Sequence, residues 1–388
     1  MLEKLLEMQT RYLLDSKSFR GYSKVLKQAV EILNNKKILI LCGLKYTGKT
    51  ELTREIIKKT KSESDFFYFN PYLDIFGNIK THKDLMFLMD YKIRTQGNIK
   101  IIILEDCNII QGIKTFILDL YKSKNFKIII IGNNIKIDGV QEIELFPLNF
   151  YNKQKDDIIY GGLPHVRIIP DNSYKKVILG AITSDIIEKE VSLPYHIKNQ
   201  DNFRKMLAFL ASYTHPLSLR ELHRLLQDHS INISLITLIE YINIALTTRI
   251  LIKQEVYDIK KKSSIQTQTF YQFGDTGIRS AVSDYTTHHY TNLLACEYIS
   301  KDYNINAGKF GTFIFDIYAT KGDEQVGIIV SHSQEKQEIR RLARKLSKVP
   351  ELTHRYVLVE NKEKLAMRKF FENGVQICEL DECITHID

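Results

Sequence analysis

Residues 43–50 read GLKYTGKT and fit the pattern GxxxxGK[ST]. The spacing suits a phosphate. Gly43 and Gly48 allow the backbone to bend inward, so that N–H groups of the loop, Tyr46 and Thr47 included, face an anion. Lys49 would neutralise the β- and γ-phosphate oxygens, and the Thr50 hydroxyl would ligate Mg²⁺. The helix that starts near Lys49 and continues through Glu51 turns its positive end toward the same anion. ATP or ADP with Mg²⁺ is the expected ligand. A second stretch, KIIILEDCN at 100–108, carries Glu105 and Asp106 just after a run of apolar residues. Carboxylates at the carboxyl end of a buried strand could reach that metal. Glu105 is assigned to the metal shell and Asp106 to activation of the attacking water.

The usual order of such a pair is Asp then Glu, and here it is reversed. Asp106 is one methylene shorter than Glu, which removes ~1.5 Å of reach. A misplacement near ~1 Å costs on the order of a hundredfold in rate, whereas Mg²⁺ often meets carboxylates through water and tolerates the exchange better. A third group lies in GNN at 132–134. Asn133 or Asn134 could orient the water, and a turn-forming Asn-Asn is the competing reading.

These groups need strands and helices to position them. Apolar runs at 36–42, 65–69, 100–104, 126–132 and 142–146 alternate with helical stretches such as ELTREIIKKT, KDLMFLMDYKIRT and IKTFILDLYKS. Nearly continuous apolar strands are expected where both faces of a parallel sheet are covered. The alternation predicts a doubly wound α/β domain over 1–150. Strand 65–69 falls between the loop strand and the acidic strand in the chain, as in ATPases that insert a strand between the two motifs.

Past Pro147 the pattern changes. Residues 202–256 read as three short helices, and the strand-like ILIKQEVYDI, the tract KKKSSIQTQ and TFYQFGD follow. Three helices and a two-stranded ribbon predict a winged helix within 151–285. Lys260–Lys262 would sit at the wing tip, where they could meet DNA phosphates. A solvated hairpin loop is the alternative, and the helix LITLIEYINIALTT is poor in side chains that read bases. From 286 to 388 helices and strands alternate again.

Length and composition bound the reading. The 388 residues suggest two or three domains. No segment approaches the ~20 apolar residues needed to span a bilayer, and the charged start lacks the apolar core of a signal peptide. Five cysteines without a CxxC pair predict free thiols and a cytoplasmic setting. The net charge of +9 is compatible with nucleic acid or with a lysine-rich solvated surface.

Taken together, these stretches resemble the prokaryotic AAA-domain ATP-binding proteins whose C-terminal half carries a domain of unknown function. Arg11–Tyr12 resembles the family's early Arg-Tyr, and GLKYTGKT its phosphate loop. YFN at 68–70 resembles the end of its second strand, and QGIKTFILDLYKSKNFKIIIIGNN the segment leading to its sensor turn. LFPLNFYN at 145–152 is similar to a Pro-Leu-Ser-Phe signature. The most specific matches are YGGLP at 160–164 and FYQFGDTGIRSAV at 270–282. The resemblance implies an AAA-type P-loop sheet, then a winged helix, then a small α/β fold similar to restriction endonucleases over 286–388. In such a tail, Glu297 and Asp316 match two acid positions, but Ile328 and Val330 stand where Glu and Lys are expected, so the nuclease chemistry is expected to be lost. The family's Gly-Arg before its Pro-Leu segment is replaced by Gly139–Val140, which removes a cation that could stabilise the γ-phosphoryl. The resulting expectation is an ATP-binding, weakly hydrolysing switch. A non-hydrolysing nucleotide scaffold and a DNA-binding winged-helix regulator stay open beside it.

Overall fold

The computed structural model describes residues 2–15, 23–74, 77–123, 125–133, 135, 137–148, 155–213, 215–283, 289–362, 365 and 371–384. Asn134 and residues 149–152 of the LFPLNFYN stretch lie outside them. Two compact units divide the chain: residues 1–145 with 186–197, and residues 146–185 with 198–388.

In the first unit, α1 (Leu2–Leu14) and α2 (Ser23–Lys36) precede β1 (Ile38–Cys42) and α3 (Lys49–Lys59). There follow β2 (Phe66–Phe69), α4 (His82–Gln96), β3 (Ile101–Glu105), α5 (Ile113–Ser123), β4 (Lys127–Ile131) and β5 (Glu142–Glu144). The strands form one sheet in the order β2-β3-β4-β1-β5, and every pairing is parallel. The strand lying between β1 and β3 in space is therefore β4, although β2 separates them in the chain. Alternate residues face opposite layers. Leu39, Leu41, Ile129 and Ile131 pack with Ala29, Leu33, Leu52 and Ile56 of α2 and α3. Ile38, Ile40, Ile128 and Ile130 pack with Leu85, Leu88, Phe116 and Ile117 of α4 and α5. Both faces are dry, which is why the strands read as unbroken apolar runs.

The order matters for the site. A strand that turns away on each side of the β1/β4 seam leaves a crevice at the carboxyl ends. Gly132 N–H donates to Leu41 O at 3.0 Å and Asp106 N–H to Ile131 O at 2.9 Å, so the ends of β1, β4 and β3 are tied side by side. The first helix is fixed to the same edge. Gln9 and Asn70 exchange two bonds, side-chain Nε2 to Asn70 O and Asn70 N–H to Gln9 Oε1, each 2.9 Å.

The second unit contains α6 (Lys155–Tyr160), α7 (Pro164–Arg167) and α8 (Asn172–Ile186), the last residue of which already belongs to the first unit. Within the first unit, a π-helical turn over Ile187–Ser192 leads into α9 (Leu193–Tyr195). The second unit resumes with α10 (Gln200–Ser212), α11 (Leu219–Asp228) and α12 (Leu235–Thr247), then β6 (Leu251–Asp258), β7 (Ser263–Phe273) and α13 (Thr276–Val282). It ends with α14 (His289–Ser300), β8 (Asn304–Phe310), β9 (Phe313–Lys321), β10 (Glu324–Ser331), α15 (Lys336–Leu346), β11 (His354–Val359), β12 (Phe371–Glu372), β13 (Val375–Cys378) and α16 (Leu380–Ile384).

The β6–β7 ribbon is antiparallel, with Lys260–Lys262 exposed at its turn. It is not isolated, because β6 pairs parallel with β8 and so continues an eight-stranded sheet to β12. Strand β8, NINAGKF, went unmarked in the sequence. Its Asn, Gly and half-exposed positions give no apolar run, and a register shift near Asn306 breaks its alternation. Glu297 is buried on α14. Asp316 on β9 accepts the Val330 N–H at 2.8 Å, and Ile328 and Val330 are buried on β10. Cys378 and Cys383 form a disulfide, which corrects the expectation of five free thiols to Cys42, Cys107 and Cys296. No helix among the described residues is long and apolar enough to cross a membrane.

The two stretches singled out by resemblance meet here. Asp275 caps α13 through Ile278 N–H at 3.1 Å and accepts Gly162 N–H at 2.7 Å. Burial pushes its pKa up to about 6, so at neutral pH it is the carboxylate that backbone donors require. The approach is close: a Cβ at Gly162 would lie 2.1 Å from Leu148 O, and one at Gly277 2.3 Å from Tyr160 O. Replacing Asp275 by Ala removes the cap and leaves a buried N–H unpaired. We expect Asp275→Ala to destabilise the second unit by ~2 kcal/mol or more in urea titration, and a change under ~0.5 kcal/mol, the range of ordinary surface changes, would contradict this role.

Candidate functional site

The loop between β1 and α3 has the bend that its glycines suggested. Gly43 has φ 119°, Tyr46 69° and Gly48 93°. At Gly43 the requirement is doubled, since a Cβ there would also lie 2.2 Å from Leu145 O. A left-handed residue directly before Lys49 lets α3 begin with its N–H groups turned toward the loop's interior. Thr47 Oγ1 donates to Leu44 O at 2.8 Å and pins the bend from within. Asn133, at the end of β4, accepts Gly43 N–H on its Oδ1 at 2.8 Å. The residue proposed to orient water thus holds the first glycine of the loop.

The acids of β3 diverge. Glu105 extends β3 and accepts the Thr50 hydroxyl on Oε1 at 2.7 Å. Its other oxygen accepts the hydroxyl of Tyr68 from the neighbouring β2. The residues expected to share a metal are therefore in contact. Burial, together with the adjacent Asp106 charge, pushes the Glu105 pKa up to about 7. Asp106 turns the other way. Its backbone is left-handed, φ 51°, and its carboxylate pairs with Lys45 of the loop.

Lys45 has a second carboxylate. Glu190, 145 positions later in the π-helical turn, places Oε1 3.2 Å from Lys45 Nζ. Burial alone would lower the Lys45 pKa, but the charges of Asp106 and Glu190 outweigh it and hold it well above the ordinary value. Glu190 is itself pushed up by burial and then by Asp106. Lys49 takes a different path. Its ammonium donates to Gly43 O at 2.9 Å and Leu44 O at 2.7 Å, and burial lowers its pKa. Glu51 is buried in the first turn of α3.

Sequence reasoning missed Tyr68 and Glu190. Tyr68 could have been found, because YFN ends a strand that must neighbour the acidic one. Glu190 could not, because no motif links it to the loop. Arg11 pairs with Glu7 on an exposed face of α1, while Tyr12 beside it stacks on Tyr68 at 6.2 Å between ring centres. As a metal site the arrangement suits Mg²⁺: one hydroxyl and one carboxylate, oxygen donors only, leave room for water and phosphate oxygens. No group of three or more His, Cys, Asp or Glu able to enclose a metal occurs among the described residues.

Glu105 is buried at a cost that its protonation removes. Below about pH 7 it carries a proton in the folded chain, and above that it is an ionised carboxylate in a dry site. Stability from this group is thus fully present below the ordinary glutamate pKa and lost as pH rises through about 7. Glu105→Gln should raise the stability of the nucleotide-free protein at pH 8 by on the order of 1–3 kcal/mol and leave it nearly unchanged at pH 5. Thermal unfolding at the two pH values checks this, and an equal effect at both would refute it.

No family model matches the chain. A protein of Haemophilus influenzae described as uncharacterized is 21% identical over 344 residues, covering 80% of this chain and 86% of its own length. Among solved structures, a Walker-type ATPase of Pyrococcus abyssi is similar at 11% identity and a TM-score of 0.46, over 70% of this chain and 99% of that one. The AMPPCP-bound DnaA of Aquifex aeolicus shows 16% identity and a TM-score of 0.27, over 61% of this chain and 91% of its own.

Proposed function

We propose that the first unit binds ATP with Mg²⁺ in the loop of residues 43–50 and hydrolyses it slowly, as a nucleotide-dependent switch. The observation that carries this reading is the contact between Thr50 and Glu105 at the mouth of a left-handed glycine loop. Two separate motifs, 55 positions apart, supply the hydroxyl and the carboxylate that a phosphate-bound Mg²⁺ requires. The bound metal would polarise the terminal phosphoryl.

The chain's own groups do the rest. Backbone N–H groups from Leu44 to Thr50 receive the phosphates, the Gly43 N–H being held by Asn133. Lys49 must leave the carbonyls of Gly43 and Leu44 to meet them, exchanging two neutral acceptors for charged ones. Tyr68 holds the free oxygen of Glu105 and so fixes which face points at Thr50. Asp106 would take the proton of the attacking water, and Asn133, which accepts the Gly43 N–H, would help orient that water. Slow turnover follows from Asp106 being short and paired with Lys45.

Calorimetry with ATP and ADP, followed by a phosphate-release assay, tests the reading. Wild type should bind ATP in the presence of Mg²⁺, and Lys49→Ala should weaken binding at least about tenfold and abolish phosphate release. Release unaffected by Lys49→Ala would remove the enzyme reading, and wild type that fails to bind would remove the site.

A second reading concerns DNA. Helices α10–α12 with the β6–β7 ribbon keep the order of a winged helix, and the exposed Lys260–Lys262 turn supports contact with phosphates. Neutralising the three lysines should weaken retention on duplex DNA and reduce the salt slope by up to about three. No retention even at low salt would eliminate it.

A further inference from the structure

Glu190 has no part in the phosphate-loop pattern, yet it reaches the loop. Three features place it there. The first is local geometry. Pro194 has no N–H with which to continue an α-helix back to Glu190 O, four residues earlier. The Leu193 N–H instead donates to Glu188 O, five residues back, and the turn over Ile187–Ser192 widens into a π-helix. Such turns are rare and frequently mark functional positions. The second is anchorage. Ile187 and Val191 on the same turn are buried, and Tyr72 donates its hydroxyl to Lys189 O at 2.6 Å. The third is charge. Lys45 has three N–H donors and is held between Asp106 and Glu190, with its side chain only 16% exposed and that of Glu190 10%.

This cluster lies where a terminal phosphate would come. Thr50 and Glu105 mark the metal, and Asp106, the next residue on the chain, is the one Lys45 holds. Lys45 pairs with Asp106 and Glu190, and the charges of Glu190, Asp106 and Glu105 also act on Lys49. A terminal phosphoryl group arriving beside Lys45 carries about −2 over its three oxygens, against −1 for a carboxylate, and repels Glu190 directly. Lys45 already holds two carboxylates, and a third, doubly charged anion on the same ammonium weakens its pair with Glu190. Resting on the nucleotide-binding reading above, we propose that Glu190 occupies the place of the terminal phosphate on Lys45, and that ATP displaces it and shifts residues 186–197.

The chain path gives that shift an output. Residues 186–197 belong to the first unit, but the chain on either side of them, 146–185 and 198–388, forms the second. A ligand that draws Lys45 from Glu190 therefore acts on the segment that carries two of the three covalent connections between the units. The buried Ile187 and Val191 keep the movement a local shift rather than a release. ADP, which lacks the terminal phosphate, leaves Glu190 in place.

Hydrogen exchange followed by mass spectrometry on the full chain tests this, without nucleotide and with saturating Mg²⁺ and either AMPPNP or ADP. Peptides within 186–197 should exchange at least about threefold faster with AMPPNP than with ADP or with none. Glu190→Gln, which keeps the size and removes the charge, should bind AMPPNP about tenfold more tightly, since no competing anion has to be displaced. Its segment should already exchange rapidly without nucleotide. The proposal is overturned if the wild-type segment, in protein that calorimetry shows to be loaded, exchanges equally with AMPPNP and ADP. Weaker AMPPNP binding by Glu190→Gln also overturns it. Failure of wild type to bind any nucleotide removes the underlying site reading instead, and this inference with it. The wild-type comparison needs no variant to fold.

Discussion

Three carboxylates and two ammonium groups share one buried crevice at the carboxyl ends of β1, β3 and β4, and the rest of the first unit is arranged to make that tolerable. Burying an ionised group costs far more than burying an apolar one unless it is paired and hydrogen-bonded. Each group here is hydrogen-bonded, and Lys45, Asp106 and Glu190 are also charge-paired. Lys45 has Asp106 and Glu190, Lys49 has two loop carbonyls, and Glu105 has the hydroxyls of Thr50 and Tyr68. The apolar layers on both sides of the sheet supply the rigidity that keeps these atoms in register. Without it, the charges would move apart into water.

The reversed acidic pair takes on a physical meaning in this setting. The residue after β3 must turn sharply, and it does so with φ 51°. Asp is among the few residues with a side chain that tolerate left-handed backbone, because its short carboxyl bonds locally. Glu at 106 would meet a larger steric cost. Glu at 105, still in extended backbone, has the length to reach Thr50 on α3. The order Glu-Asp is thus what this turn accommodates, with the longer acid on the straight segment and the shorter one on the bend.

The first unit was largely legible because its signals are local. Five apolar runs marked its five strands to within two residues at most ends, and the helices between them carried a clear helical period. Loop and acidic strand announced themselves through residue types that only a few geometries need. In the second unit the three helices and their ribbon were also local. What escaped was long-range or irregular. Strand β8 has too few buried apolar positions to stand out, and α8 with its π-turn was passed over. The spatial place of β4 between β1 and β3 followed from topology rather than chain order. The partners of Lys45 lie 61 and 145 positions away, and no spacing rule connects them.

That distance also says what kind of control the fold allows. A residue such as Thr50 is placed by the helix it starts and moves only if α3 moves. Glu190 is placed by a π-turn that a proline imposes, on a short segment with the second unit's chain entering and leaving. Its hold on the loop is electrostatic and reversible, whereas Ile187 and Val191 fix the segment by burial. A charge arriving at Lys45 can cancel the first kind of hold without disturbing the second. A packed core resists continuous deformation and changes between discrete arrangements. The device therefore needs a small electrostatic change at one side chain, set against an apolar anchor, to be transmitted along the chain to the rest of the molecule.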